Sequence, residues 1–590
     1  MTRTLCGLAD CAGMNEIDAQ DVGDGPSAHP TAPGRIVVMG VGVSKTVVGG
    51  ALAALALASP GAAEDTFDLL IRNGLVVDGS GADGFEAGVG LRDGRIARVG
   101  DLSKATAKRT IDASGLVVAP GFVDIHNHSD FTLLKEPRCE SMIRQGVTTM
   151  VLGEGSSAGP VKPGEHEWTT LGGYFRQVED AGVAANICSY VGQTQVWTYV
   201  KGHAHEPATA SEMEAMKREV ARAMEDGAMG LATSLLMPPS SLVTTEQLVE
   251  LASVASGYGG LYSSHIRDEG YGVFSSIEEA IDVGKGARIR VDVIHLKIAE
   301  QELWGRMPEI ISMFDDARRA GLDIRANVYP YNAGQNNLRS IIPPWAHDGG
   351  NEAMLERLRD PATRARMKKD ILEGIDGWYN HLLAVGGDWN RILLVGLTDP
   401  VNQPFVGKRM SELIEARGGD PVEVLFDVLL EEGGSVRAVY FHHREDDMLY
   451  ALKQPYTSVG SDGSAISPDG AYADMHPHPR WYGTFPRVLG RYVREMKELT
   501  LPEAIRKMTS MNAAKISILD RGLIREGFRG DVTVFDPDTV IDRATFENPH
   551  QYPDGIPYVI VNGVLVLDGG NHTGELPGMV LRGPGYEPGP

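Results

Sequence analysis

The sequence predicts an α/β fold: a mostly parallel sheet, open or closed as a barrel, with a small β-domain assembled from both ends of the chain. Three observations point there. Between residues 118 and 524, short apolar runs alternate with stretches of helical period, the texture of repeated strand–helix units. Both ends instead carry short apolar runs broken by Asn-Gly, Asp-Gly and Ser-Gly, which mark hairpins. The composition, 42% hydrophobic and 23% charged over 590 residues, excludes a disordered or fibrous chain.

In chain order, residues 1–64 read as a leader. The first 34 are polar and aperiodic. From about 35 to 63 a positive flank (Arg35, Lys45) precedes an apolar stretch, which ends in small residues before Glu64 and Asp65. That pattern describes a secretory signal peptide, and so a periplasmic or secreted protein. The other reading is an Ala-rich helix packed on the barrel, in a cytoplasmic protein. The apolar core is short and rich in Ala and Gly, so no stable membrane span is expected. A signal belongs at a chain start, which places the expected translation start at Met39. Cys6 and Cys11 fall in this leader. Cys139 and Cys188 remain, too few for a disulfide scaffold.

Residues 65–117 hold the first part of the β-domain, in DLLIRNGLVVDGSG and GVGLRDGRIARVG. Residues 525–590 hold the second, with a strand at 530–536 and a hairpin at 558–567. Between them, after the run that ends at His126, strands are expected at 146–153, 186–192, 228–234, 259–267, 289–297, 322–331 and 457–463. Helices are expected over 210–224 and 245–255. The stretch 118–524 is long for a barrel alone, and about 335–435 is rich in charge and helix formers, as an insertion would be. The balance of 55 Lys+Arg against 79 Asp+Glu, a net −24, repels phosphate backbones and argues against a nucleic-acid partner.

The chemistry gathers at strand ends. In GFVDIHNHSD, His126 and His128 are two residues apart on a β-like run, so both point to one side and can chelate one ion. Taken alone, they could equally be polar residues bonded to loops. His265 closes the run GGLYSSH, and His295 lies in VDVIHLK. Four histidines at successive strand tips fit the end of a barrel where active sites sit. Asp462, in VGSDG, has the place of a general base beside a metal-activated water.

With VVAPGFVDIHNHSD, GVTTMVLGEG, SSHIRDEG, VIHLK, VYPYNAG, VGSDG and HPHPRWYGTFPRVLG together, the chain resembles the metal-dependent amidohydrolases, and among them the N-acyl-D-amino-acid deacylases (D-aminoacylases). The resemblance runs from about residue 68 to 582. It implies a distorted TIM-type (β/α)8 barrel with a small β-sandwich formed by the N- and C-terminal segments. It also implies zinc, one or two ions, held by His126, His128, His265, His295 and Asp462, with Asp462 as general base and acid. Lys297 and Arg480 match cations that hold the carboxylate of an N-acyl amino acid substrate.

Two departures stand out. The family's metal-binding Cys, in a Gly-Asn-Cys-Gly context, is missing; the stretch reads Gly153-Glu154-Gly155-Ser156. Glu154 is expected to replace the thiolate and to favour a two-metal site, with manganese or cobalt accepted more readily. Met237 stands where the family often has a Tyr at the carboxylate site, which points to a larger or more apolar D-side chain, or to another N-acyl compound. The rival enzyme reading is a cyclic-amide hydrolase of the hydantoinase or dihydroorotase kind. Those relatives use a carboxylated Lys on the fourth strand, and 228–234 contains none. A catalytically dead binding protein is the rival outside enzymes.

Overall fold

The computed structural model describes residues 66–588. The leader expected over 1–64, with its signal-like stretch, Met39, Cys6 and Cys11, lies outside the described residues.

Eight strands build the centre: β1 (Phe122–Asp124), β2 (Val147–Leu152), β3 (Asn186–Ser189, resuming as Val191–Gly192), β4 (Gly230–Ser234), β5 (Leu261–His265), β6 (Arg290–Val293), β7 (Ile324–Val328) and β8 (Thr457–Val459). Each pairs in parallel with the next. The ring closes just past the ends of β8 and β1, where Asn127 bridges Gly463. There the His128 N–H donates to the Gly463 carbonyl at 2.7 Å, and the Asp462 N–H to the His126 carbonyl at 2.8 Å. The result is a closed but distorted barrel: β3 breaks at Tyr190, and the β8–β1 seam is short. The strands are sealed on both faces. All six positions of β2 are buried, which is why the sequence shows continuous apolar runs here rather than alternation.

The intervening helices start at well-formed caps. Thr209 with Glu212, and Thr244 with Gln247, make capping boxes that open the helices Ala210–Glu225 and Thr245–Gly257. Among the described residues no helix is long and apolar enough to cross a membrane.

Strands from both ends share one nine-stranded sheet. Val532–Phe535 runs antiparallel to Val117–Pro120 and so ties the C-terminal segment to the N-terminal one. The strand Thr66–Val76 is shared: its first half pairs with Thr106–Asp112, its second with Val117–Pro120. Two hairpins turn at Asp93–Gly94 and Asn562–Gly563, where both residues of each pair have positive φ (51° and 72°; 50° and 81°), as a type I′ turn needs. Asn73–Gly74 departs from the hairpin reading. It forms an irregularity inside Thr66–Val76, where the register to Phe85–Arg92 shifts. A Cβ on Gly74 would stand 2.5 Å from Val118 Cγ2, so this glycine permits close strand approach instead of a turn.

Residues 334–440 contribute an antiparallel sheet of Gly334–Asn337, Ile392–Gly396 and Arg437–Tyr440. Its helices surround a separate apolar cluster that includes Leu338, Met354, Leu394 and Phe426.

A helix after the barrel, Ser510–Lys515, braces the strands. The Lys515 ammonium donates to Asp292 Oδ1 (2.5 Å), the Ala326 carbonyl (2.7 Å) and Ser458 Oγ (2.7 Å), so one cation joins β6, β7 and β8. The Asn512 amide donates to the carbonyls of Val123 and Val459, joining β1 to β8. Lys515 and Asp292 are both buried, so removing one leaves a buried charge unpaired. Lys515→Ala should destabilise the fold by about 3–5 kcal/mol, read as a lower thermal or urea midpoint. Asp292→Leu with Lys515→Met should recover part of the loss. An unchanged midpoint in the single variant would contradict this account.

Candidate metal and catalytic site

Closure of the ring brings the strand tips together. β1 delivers His126 and His128, β2 delivers Glu154, β5 His265, β6 His295 and β8 Asp462. His126 Nε2 stands 2.5 Å from Glu154 Oε2; His128 Nε2 stands 3.0 Å from the same oxygen and 3.1 Å from Asp462 Oδ1. The two imidazole nitrogens are 3.2 Å apart, and His126 Nε2 is 3.7 Å from Asp462 Oδ1. Donors about 2.0–2.1 Å from a tetrahedral ion stand about 3.3 Å from one another. This group therefore has the spacing of a coordination shell. The other Glu154 oxygen, Oε1, lies 2.7 Å from His265 Nδ1. Glu154, His265 and His295 make a second convergent donor set, so Glu154 belongs to both.

The donors are held from behind. Asp124, fully buried, accepts from the Ser461 N–H (2.7 Å), Ser461 Oγ (2.5 Å) and the Asn127 amide (2.8 Å). It thus locks the His-x-His run to the loop carrying Asp462. His295 Nδ1 lies 3.1 Å from Glu269 Oε1. The Lys297 ammonium lies 2.7 Å from the same nitrogen, so Glu269 and Lys297 together hold the ring from behind. Asp462 and His295 both occupy the left-handed region, at φ 51° and 37°. Such backbone costs about 1–3 kcal/mol for a non-glycine residue and gathers at functional sites.

The electrostatics suit a cation. Burial would lower the His128 pKa, but its hydrogen bonds to Asp462 and Glu154 push it up to about 10. The two carboxylates thus favour positive charge at His128. Burial would also raise Glu154, yet His126, His128 and His265 hold it well below the usual carboxylate range. Asp462 behaves likewise: burial raises it, and the Arg480 guanidinium with the imidazoles lowers it further. His295 is pushed down to about 3 by burial and by Lys297 and His265, so it is a neutral donor.

The two cations expected to bind substrate are placed differently. Arg480 Nη2 pairs with Asp462 Oδ1 at 2.9 Å, while its Nε and Nη1 are buried without a partner. It borders a cavity of about 390 Å³ shared with His128, Asp462, Gln335 and Arg437. Lys297 does not stand free: its ammonium goes to Glu269 and lies 2.7 Å from His295 Nδ1. The Tyr329 ring packs between them, 4.6 Å from the Arg480 guanidinium and 5.8 Å from the Lys297 ammonium. Met237 packs with Leu236 and Tyr379. Asp124, Glu269 and Tyr329 escaped the sequence reading. Only their place in the motif strings could have marked them.

A family model described as the Amidohydrolase family matches residues 109–309 and 407–567. The chain is 33% identical to the D-aminoacylase of Alcaligenes xylosoxydans xylosoxydans over 533 residues, 87% of this chain and 97% of that protein. A solved N-acyl-D-glutamate deacylase from Bordetella bronchiseptica, complexed with zinc and a phosphonate mimic of the tetrahedral intermediate, superposes with a TM-score of 0.74 at 31% identity, covering 88% of this chain and all of that one. A solved D-aminoacylase described as having a binuclear metal centre, with one-metal activation and second-metal attenuation, gives a TM-score of 0.73 at 32% identity, over 88% of this chain and all of that one.

Glu154→Ala removes the one donor common to both sets. Elemental analysis of the purified variant should find at least one equivalent of metal fewer per chain than in the wild type. Equal stoichiometry in the two proteins would reject the shared role.

Proposed function

This chain belongs to the amidohydrolase family, in the branch of the N-acyl-D-amino-acid deacylases, and we propose on that premise that it cleaves N-acyl-D-amino acids to a carboxylate and a free D-amino acid. It is a metal-dependent hydrolase of linear amide bonds. The observation that carries the reading is the convergence of four imidazoles and two carboxylates at one end of the barrel. Nitrogen and oxygen donors at these spacings fit zinc, and a site with no thiolate also suits manganese or cobalt. When bound there, the metal supplies Lewis acidity, acidifying water and polarising the scissile carbonyl.

The chain's own residues do the rest. Asp462, kept ionised by Arg480 and the imidazoles, takes the proton of the attacking water and returns it to the departing nitrogen. A D-amino acid keeps its α-carboxylate after acylation. Arg480 borders the cavity beside Asp462, where its guanidinium holds that carboxylate next to the reacting atoms. Lys297, paired with Glu269, fixes His295 from behind and leaves the direct contact to Arg480. The rival cyclic-amide reading lacks support, because β4 (GLATS) carries no lysine. The complete ligand set speaks against a dead scaffold. The signal-like stretch at about 35–63 supports action in the periplasm or outside the cell.

A panel of N-acyl-D- and N-acyl-L-amino acids assayed with added zinc should give turnover of the D-series only. Hydrolysis of hydantoins with neither series turned over would favour the cyclic-amide reading. Asp462→Asn should lose about 10²–10⁴-fold in kcat and still bind metal. Wild-type turnover in that variant would remove Asp462 from its role.

A further inference from the structure

The deacylase reading uses one of two cavities that flank the donor cluster. The first, beside β8 and β1, holds Asp462 and Arg480. Proton delivery from Asp462 to the leaving nitrogen, with the α-carboxylate on Arg480, places the amino-acid arm of the substrate there. The acyl arm leaves the same carbonyl carbon in the opposite direction.

A second cavity, of about 410 Å³, lies across the barrel mouth. Loops after β2 and β4 supply Ser156 and Met237, the helix Gln193–Lys201 after β3 supplies Thr194, and residues of the segment 334–440 complete it. It begins beside the cluster, for the Ser156 N–H donates to the Glu154 carbonyl at 2.5 Å.

Its chemistry runs against the acidity of the whole chain. No Asp or Glu lines it, whereas Arg339, His203, His205 and His347 do. Arg339 is half-buried and, among the described residues, forms no ion pair; burial lowers its pKa and no carboxylate offsets the effect. His347 is pushed down to about 4 by burial, with Arg339 and His205 adding to it. His205 Nε2 is buried without a hydrogen-bond partner. The acid close by, Asp348, spends Oδ1 on the His205 N–H at 3.1 Å. The helix Asn351–Arg359 also starts at this wall, from Gly350, with no side chain capping it. A half-buried guanidinium with no counter-charge is costly alone and is offset by an anion. Met237, Pro238 and Pro239 give a short methylene chain an apolar wall, and Thr194, Gln195 and Thr198 add polar groups opposite the basic residues.

We propose that this cavity is the acyl-recognition site, and that the acyl group it takes ends in a carboxylate. The substrate is then the mono-amide of a short dicarboxylic acid with a D-amino acid, such as an N-succinyl- or N-glutaryl-D-amino acid, and Arg339 binds the far carboxylate. The inference rests on the deacylase reading. The reaction is unchanged: water adds its oxygen to the acyl carbon, the C–N bond breaks, and the nitrogen leaves with the proton. The products are a dicarboxylate and the free D-amino acid.

The test compares kcat/KM for N-succinyl-D-leucine and N-butyryl-D-leucine, which match in chain length and differ in the terminal carboxylate. The zinc-loaded wild type should prefer the succinyl compound by roughly tenfold to a hundredfold, the range of hydrogen bonds to charged groups. Arg339→Gln should bring the ratio near one, and Arg339→Lys should keep part of it. A wild-type ratio near one, or a ratio indifferent to Arg339→Gln, overturns the proposal. So does a selective loss on N-acetyl-D-glutamate in Arg339→Gln, because the cavity would then hold the side chain. If no N-acyl-D-amino acid is hydrolysed, the deacylase reading fails by itself. Calorimetry with free glutarate then decides the cavity: binding lost in Arg339→Gln supports an anion site, and no binding to wild type overturns it.

Discussion

One carboxylate organises the centre. Glu154 gives Oε2 to His126 and His128 and Oε1 to His265, so a single side chain faces both donor sets. That geometry requires the closed ring. β2 lies between β1 and β3, and only closure of the strands brings the tips of β5, β6 and β8 into reach of the same residue. The braces of the barrel therefore serve the site as well: Asn512 ties β1 to β8, and Asp124 ties the His-x-His run to the Asp462 loop.

The same constraint sets the electrostatics. Two carboxylates and four imidazoles in a largely dry space are tolerable only with positive charge among them. The carboxylates raise the His128 and His265 pKa values against the effect of burial, which expresses that demand. A divalent ion satisfies the same demand with better geometry. Charges that do not face the site are neutralised locally. Lys297 goes to Glu269 and Lys515 to Asp292, while Arg480 goes to Asp462 and keeps two donors in hand.

Much of this was legible in the sequence. The barrel strands are doubly buried and announce themselves as apolar runs, and His126, His128, His265, His295 and Asp462 stand where those runs end. Glu154 became visible as the residue standing near a missing thiolate. Closure of the ring was not legible, since burial on both faces looks the same in an open parallel sheet; one bridge between Asn127 and Gly463 decides it. Nor was Asn73–Gly74, whose dipeptide suits a turn but whose neighbours continue the strand. Asp124 and Glu269 act through partners 337 and 28 residues away, Ser461 and Lys297, and the Arg339 cavity joins loops from opposite parts of the chain. Local pattern carries no trace of such pairings.

The central claim, a metal site shared through Glu154, is tested most directly by anomalous diffraction at the zinc edge from crystals of the zinc-loaded protein. The account predicts a strong peak enclosed by His126, His128, Glu154 and Asp462, with Glu154 Oε1 turned toward His265 and His295 and any second peak on that side. A peak that Glu154 does not touch, or zinc bound only away from these six residues, would contradict it.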